Sequence, residues 1–139
     1  MSLREMAGHL IRRLHQQSTQ VFVQRTQAEG FDLTPVQFAA LDAIASHPAT
    51  DQARVAEMIA YDRATIGGVI ERLEHKGWIR RVVSERDRRA RELSLTPEGE
   101  RVLATLRPLV RGLQDEILAP LGEADRARLL KLLRQAVGQ

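Results

Sequence analysis

The sequence predicts a mainly α-helical domain with one small β-hairpin, and three observations predict it. Apolar residues recur at helical spacing along most of the 139 residues. The pattern breaks at Trp78-Ile-Arg-Arg-Val-Val83, where β-branched and aromatic residues replace it. Threonine precedes proline at Thr34-Pro35 and at Thr96-Pro97, an N-cap followed by a first helical residue.

Each element follows from local chemistry. Leu3, Ala7, Leu10, Ile11, Leu14, Ser18, Val21 and Phe22 form one stripe, so a first helix is expected over about residues 3–28, ended by Gly30. Thr34-Pro-Val-Gln37 is a capping box opening a second helix, which stops before Pro48. Thr50 or Asp51 caps a third, QARVAEMIA, with Val55, Met58 and Ile59 inward. Tyr61-Asp62 makes a short break. Asp62 caps a fourth, RATIGGVIERLEHK, with Ile66, Val69, Ile70 and Leu73 inward and Gly77 closing it. Trp78–Val83 and Glu92–Leu95 are the two strands, joined by the loop SERDRRAR. A fifth helix starts at Thr96-Pro97 and carries Leu103, Leu106, Val110, Leu113 and Ile117 at spacings of three and four, with Pro108 expected to kink it. A sixth, from about Glu123 to Val137, carries Leu129, Leu130, Leu132 and Leu133.

A tight helix pair followed by a hairpin is a winged helix-turn-helix. The expectation is therefore a single domain over residues 1–139. Its DNA-binding lobe covers about residues 34–95. Its N- and C-terminal dimerisation helices cover about 1–30 and 97–139. The terminal stripes are too long for so small a lobe to cover, so a homodimer is expected.

Composition narrows the function classes. Hydrophobic residues make up 43% and charged residues 28%, the balance of a soluble globular protein. No apolar run reaches the ~18–20 residues that span a bilayer, and MSLREMAGHLIRRLHQQ lacks a signal-peptide core, so no membrane role and a cytoplasmic location are expected. The absence of cysteine excludes disulfides, thiolate sensing and cysteine-bound zinc. No nucleophile motif, phosphate loop or metal cluster is present, so neither an enzyme nor a cofactor is expected. A protein–protein adaptor on the same fold is the other rival, distinguished by the absence of salt-dependent DNA binding.

Charge placement points to double-stranded DNA. Net charge is +3, and Tyr61–Leu95 alone holds nine basic and six acidic residues, so the whole excess lies there. Arg80–Arg91 has six arginines against two acids. Arginine suits bidentate contact with phosphates and base edges. With its apolar residues inward, the fourth helix turns Arg63, Ala64, Thr65, Gly67, Gly68, Glu71 and Arg72 outward. Arg63 and Thr65 are candidate base readers and Arg72 a candidate phosphate contact. Two consecutive helical glycines cost about 1 kcal/mol each relative to alanine. Close backbone approach to DNA, at Gly68 above all, or close packing on a neighbouring helix would offset that. The hairpin tip, Arg86, Asp87, Arg88, Arg89 and Arg91, reaches towards the adjacent minor groove, whose negative potential attracts arginine. Asp87 is expected to hold the Arg89 guanidinium extended.

The stretch AEMIAYDRATIGGVIERLEHKGWIRRVVSERDRRARELSLTPEG resembles the MarR family of bacterial transcription regulators, and LTPVQFAAL and the long terminal helices extend the likeness along the chain. The resemblance implies a homodimer on a pseudo-palindromic operator, usually a repressor released by a small molecule. Asp87 and Arg89 match the family's wing pair, and Arg63, Thr65 and Arg72 lie at recognition-helix positions. Trp78 stands where the family often has leucine. LTPVQFAAL, AYDRATIGGVIERLE and the DRRAR wing look most like the branch answering to aromatic acids such as benzoates, hydroxycinnamates and hydroxylated nicotinates. In related proteins such acids bind between the DNA-binding lobe and the dimer helices. Here His9, Arg13, His15 and Thr19 on the first helix and Phe38 on the second are the ligand candidates: a cation or donor for the carboxylate, an aromatic for the ring. Each histidine is also accounted for as a surface or interface side chain, and Phe38 as a core residue. His9 and His15, six apart, do not share a helical face as a metal pair would. An activator, or a DNA-binding protein without an effector, is the alternative reading.

Overall fold

The computed structural model describes all residues, Met1–Gln139. Helices α1 (Ala7–Ala28), α2 (Pro35–Ser46), α3 (Gln52–Met58) and α4 (Ile66–His75) are followed by strands β1 (Ile79–Val83) and β2 (Arg91–Leu95). Helices α5 (Pro97–Ile117) and α6 (Glu123–Ala136) complete the chain. This is the expected mainly α architecture with one hairpin.

Several boundaries differ from the sequence reading, each for a local reason. Leu3–Glu5 forms a separate 3-10 turn, because the Ser2 N–H and hydroxyl both donate to the Glu5 carboxylate at 2.7 and 3.0 Å. Those bonds hold the Glu5 carboxyl below its ordinary range. Met6 is then extended, and α1 starts at Ala7. Asp51, not Thr50, caps α3 by accepting from the Arg54 N–H at 2.9 Å. Thr50 is buried instead, and its carbonyl accepts the Leu93 N–H at 2.8 Å, adding a one-residue bridge to the hairpin. Met58 is 39% exposed rather than inward, because α3 ends there and Val55 and Ala56 already fill the interior face. Helix α5 runs unbroken through Pro108.

The capping box behaves as the sequence predicts. Thr34 Oγ1 accepts from the Gln37 N–H at 3.1 Å, and Gln37 Oε1 accepts from the Thr34 N–H at 3.2 Å. The core gathers Phe22 from α1, Leu41 and Ile44 from α2, Val55 from α3 and Ile66, Ile70 and Leu73 from α4. Ile79 and Leu93 from the hairpin and Leu103, Leu106 and Leu113 from α5 complete it. Each of these leaves water almost wholly, worth about 1.5–3 kcal/mol apiece before chain entropy is subtracted. The strands pair antiparallel with Ile79 opposite Leu95 and Val83 opposite Arg91. Arg107 Nε reaches Asp42 Oδ1 at 2.8 Å and Arg25 Nε reaches Glu116 Oε2 at 3.2 Å, tying α5 to α2 and α1.

The ends of the chain carry apolar side chains in water. Ile11 is 63% exposed and Leu132 54%, and Leu3, Leu10, Leu130 and Leu133 are exposed as well. A cleft of about 440 Å³ runs between α1, α5 and α6, lined by Ile11, Leu14, Ile117, Leu118, Leu130 and Leu133 among others.

Candidate nucleic-acid interface

The interface is built from α3, the turn after it, α4 and the hairpin. The turn is tight because Ala60 adopts φ 54° and Asp62 closes a loop on itself. Asp62 Oδ1 accepts from the Ala64 N–H at 3.0 Å, and its carbonyl accepts from the Thr65 and Ile66 N–H groups. The Thr65 hydroxyl donates back to the same carbonyl at 3.2 Å. These are the bonds of an N-cap, whose carboxylate takes the N–H two residues on and whose carbonyl takes the first i→i−4 bond, from Ile66. Residues 63–65 nevertheless stay a turn, and the regular helix α4 begins at Ile66. Arg63 and Thr65 therefore stand in the turn leading into α4, exposed, and not on the helix itself. Ile66, Ile70 and Leu73 anchor α4 inward, which leaves Gly68, Glu71 and Arg72 exposed on its outer face. Arg72 lies beside His75 at the C-terminal turn, where the arginine's charge also complements the helix dipole.

The two glycines separate. A Cβ on Gly67 would meet Gln52 Nε2 of α3 at 3.4 Å, an ordinary packing contact. A Cβ on Gly68 would meet nothing within 4 Å. Helix packing therefore borders Gly67 without requiring a glycine there, and nothing inside the chain accounts for Gly68.

The wing tip is held by backbone-directed bonds. Ser84, 5% exposed, accepts from the Arg86 and Asp87 N–H groups at 3.2 and 3.3 Å. Asp87 Oδ1 accepts from the Arg89 backbone N–H at 3.0 Å. Asp87 thus orders the backbone of Arg89, where the sequence reading had it bracing the guanidinium. The four ion pairs of the chain, Arg25–Glu116, Arg81–Glu74, Arg107–Asp42 and Arg126–Asp115, all lie outside the tip. Arg86, Arg88 and Arg89 project from it into solvent. Arg91 belongs to β2, not to the loop, and its guanidinium donates to the Arg88 carbonyl at 3.4 Å.

One residue escaped the sequence reading. Arg54, exposed on α3, lines the same cleft as Tyr61 and Arg63. In a helix-turn-helix the first helix crosses the DNA backbone, and an outward arginine on it was the available signal. Trp78 also gains a place. It is buried just before β1, under the Lys76 ammonium at 5.0 Å from its ring centre.

The ligand candidates are dispersed. Phe38 is half-buried against Phe22, ring centres 6.3 Å apart. His9 and Thr19 are half-buried on α1, and Arg13 is exposed. His15 lines the cleft between α1, α5 and α6.

No helix is long and apolar enough to cross a membrane. The MarR family model matches residues 31–90, from just before α2 to the wing tip. The transcriptional regulator HosA of Escherichia coli O127:H6 is 36% identical over 135 residues, 97% of each chain. The solved structure of Bordetella bronchiseptica BpsR, whose DNA binding is described as regulated by 6-hydroxynicotinic acid, superposes with a TM-score of 0.89 at 29% identity. It covers 100% of this chain and 98% of that one. The transcriptional repressor CouR, bound to a 23-mer DNA duplex, superposes with a TM-score of 0.85 at 28% identity over 97% of this chain and 94% of that one. Similarity that runs almost end to end, through helix pair and wing alike, has one reading: the chain belongs to the MarR family and is a DNA-binding transcriptional regulator, not an enzyme.

Proposed function

We propose that the protein is a cytoplasmic repressor that binds a pseudo-palindromic operator as a homodimer and is released by a small aromatic carboxylate. The carrying observation is the pairing of an outward α4 face with a wing tip whose arginines have no acidic partner. Residues 34–95 form the lobe that meets DNA, and residues 1–30 and 97–139 form the dimer arms. The exposed apolar faces of α1 and α6 support the arms, because α6 buries none of its residues within one chain. Arg63, Thr65, Gly68 and Arg72 face the major groove, with Arg54 on the flanking phosphates. Arg89 meets the adjacent minor groove, Arg86, Arg88 and Arg91 add positive charge beside it, and Asp87 orders the Arg89 backbone. Repression is supported by the likeness to CouR, and an aromatic acid by the likeness to BpsR.

The release mechanism follows from linkage. The arms fix the distance between two α4 helices, and an operator accepts one distance, with half-sites about 10 bp apart. A ligand preferring another arm geometry loses affinity when DNA is bound, and DNA weakens the ligand by the same factor. Arg13 or a histidine, His9 or His15, takes the carboxylate. Phe38 and Thr19 line the slot for the ring and its hydroxyl. Coupling of about 1–3 kcal/mol gives a roughly 5–150-fold response.

The test is operator binding by the purified protein against salt and a panel of benzoates, hydroxycinnamates and hydroxynicotinates. Affinity should fall steeply with salt through counterion release, and a panel member should both raise the melting temperature of the free dimer and release labelled operator. Arg13→Ala or Phe38→Ala should blunt release while leaving DNA affinity intact. A monomer in solution, or a flat salt response, sinks the dimeric DNA-binding reading. A panel with no releasing member sinks the effector alone.

Gly68 offers a sharper check on the α4 face. Gly68→Ala should stabilise the free protein by about 1 kcal/mol, since alanine is the better helix former and the site is open. The same change should weaken operator binding, because its methyl occupies the surface that meets DNA. Operator affinity that stays level while the melting temperature rises would show that Gly68 does not approach DNA.

A further inference from the structure

We propose that Ser84 is a positioning residue for DNA recognition: its hydroxyl holds the wing tip in the conformation that presents Arg89 to DNA. The inference rests on the wing reading above and adds to it the device that sets the tip's shape.

Ser84 follows directly after β1 and is buried, although it is polar and sits at the root of the most charged loop in the chain. Its Oγ accepts from two consecutive backbone N–H groups, Arg86 at 3.2 Å and Asp87 at 3.3 Å. Its own N–H donates to the Ala90 carbonyl at 3.1 Å, closing the loop across its neck. Within that ring, Asp87 accepts the Arg89 N–H on its carboxylate at 3.0 Å and the Ala90 N–H on its carbonyl at 3.0 Å. Ser84 therefore fixes Asp87, and Asp87 fixes Arg89. A serine oxygen taking N–H groups two and three residues ahead is a local turn device. Here it lies one step behind the residues that would touch DNA.

The loop has few other means of order. Arg86, Asp87, Arg88 and Arg89 are all exposed and contribute nothing to the core. Without the hydroxyl the tip would sample several shapes, and the apparent affinity for DNA would fall by the fraction of time the competent shape is populated. Alanine is nearly the same size as serine, so the fold should survive the change.

The test is a double-mutant cycle with Ser84→Ala and Arg89→Ala, read as operator affinity at fixed salt, with hydrogen exchange at the Arg86 and Asp87 amides. In the wild-type protein those two amides should be protected relative to the Arg88 amide, and Ser84→Ala should remove the protection. Ser84→Ala alone should weaken operator binding about 3–10-fold, the effect of one to two lost hydrogen bonds. In the Arg89→Ala background the same substitution should cost less than about twofold, because the side chain it positions is gone. An equal loss in both backgrounds, or unprotected amides in the wild type, overturns the positioning role. An Arg89→Ala variant that binds operator normally overturns the wing reading itself, which separates the two failures.

Discussion

The Gly99→Ala variant is expected to melt roughly 10 °C below the wild type, a loss on the order of 3 kcal/mol. Gly99 is buried in the first turn of α5. An alanine Cβ there would overlap the Trp78 carbonyl oxygen outright and would sit 2.8 Å from its carbonyl carbon and 3.1 Å from its Cα. All three are backbone atoms, so no rotamer change relieves the overlap. The Trp78 carbonyl is also committed, since it accepts the Thr96 N–H at 3.0 Å. Thr96 in turn donates its hydroxyl to the Gly77 carbonyl and accepts the Gly99 N–H at 3.0 Å. Relief would therefore move the α5 cap, the start of β1 and the buried Trp78 together. Helix propensity acts the other way by about 1 kcal/mol, and the clash should outweigh it. The measurement is thermal melting at matched protein concentration, because a dimer's midpoint depends on concentration. A midpoint within about 2 °C of the wild type would show that the α5 start yields easily. The Gly68→Ala change, chemically identical and also helical, should run in the opposite direction, which isolates the close approach as the cause.

This contrast also shows what the sequence could and could not reveal. The Thr34 and Thr96 caps were readable because a cap is a local event between residues three apart. The inward faces of α4 and α5 were readable because period alone assigns them. Leu95-Thr-Pro-Glu-Gly99 could be matched to a family, but the reason for its glycine is a contact with Trp78, twenty-one residues earlier, and no local pattern encodes that. Asp62 caps the segment as its sequence suggests, but residues 63–65 between it and Ile66 form a turn, so Arg63 and Thr65 fall before the regular helix. Spacing from Val55 places Met58 inward, but it is the last residue of α3 and faces water, while Ile59 packs against the core. Ser84 sits among arginines that dominate the segment's pattern, and its bonds run to backbone N–H groups, which no side-chain pattern encodes. The ligand residues remained scattered candidates, because a site between lobe and dimer arms is made of surfaces from separate elements and has no signature in one segment.

Replacing Arg89 with alanine should weaken operator binding by roughly 1–3 kcal/mol per half-site while leaving the melting temperature nearly unchanged. The two halves of that expectation come from different facts. Arg89 is exposed and forms none of the chain's ion pairs, so the folded protein loses little when its side chain is removed. The Arg89 N–H that Asp87 accepts belongs to the backbone and survives in alanine, so the tip keeps its shape. What disappears is a guanidinium, which in a narrow minor groove sits in concentrated negative potential. In a dimer both wings lose it, and the per-site losses add where the half-sites are well separated. Asp87→Ala should cost less than Arg89→Ala, since it frees the tip backbone without removing the charge. It should also be the more destabilising of the two, because it unpairs the Arg89 N–H. Arg88→Ala is the control for charge alone: it removes the same unit of charge one residue away and should shift affinity and its salt slope only modestly. If Arg88→Ala and Arg89→Ala weaken binding equally, the tip acts as a diffuse basic patch. If Arg89→Ala leaves operator affinity unchanged in a titration at fixed salt, the wing does not read the groove, and recognition rests on α4 and the turn before it.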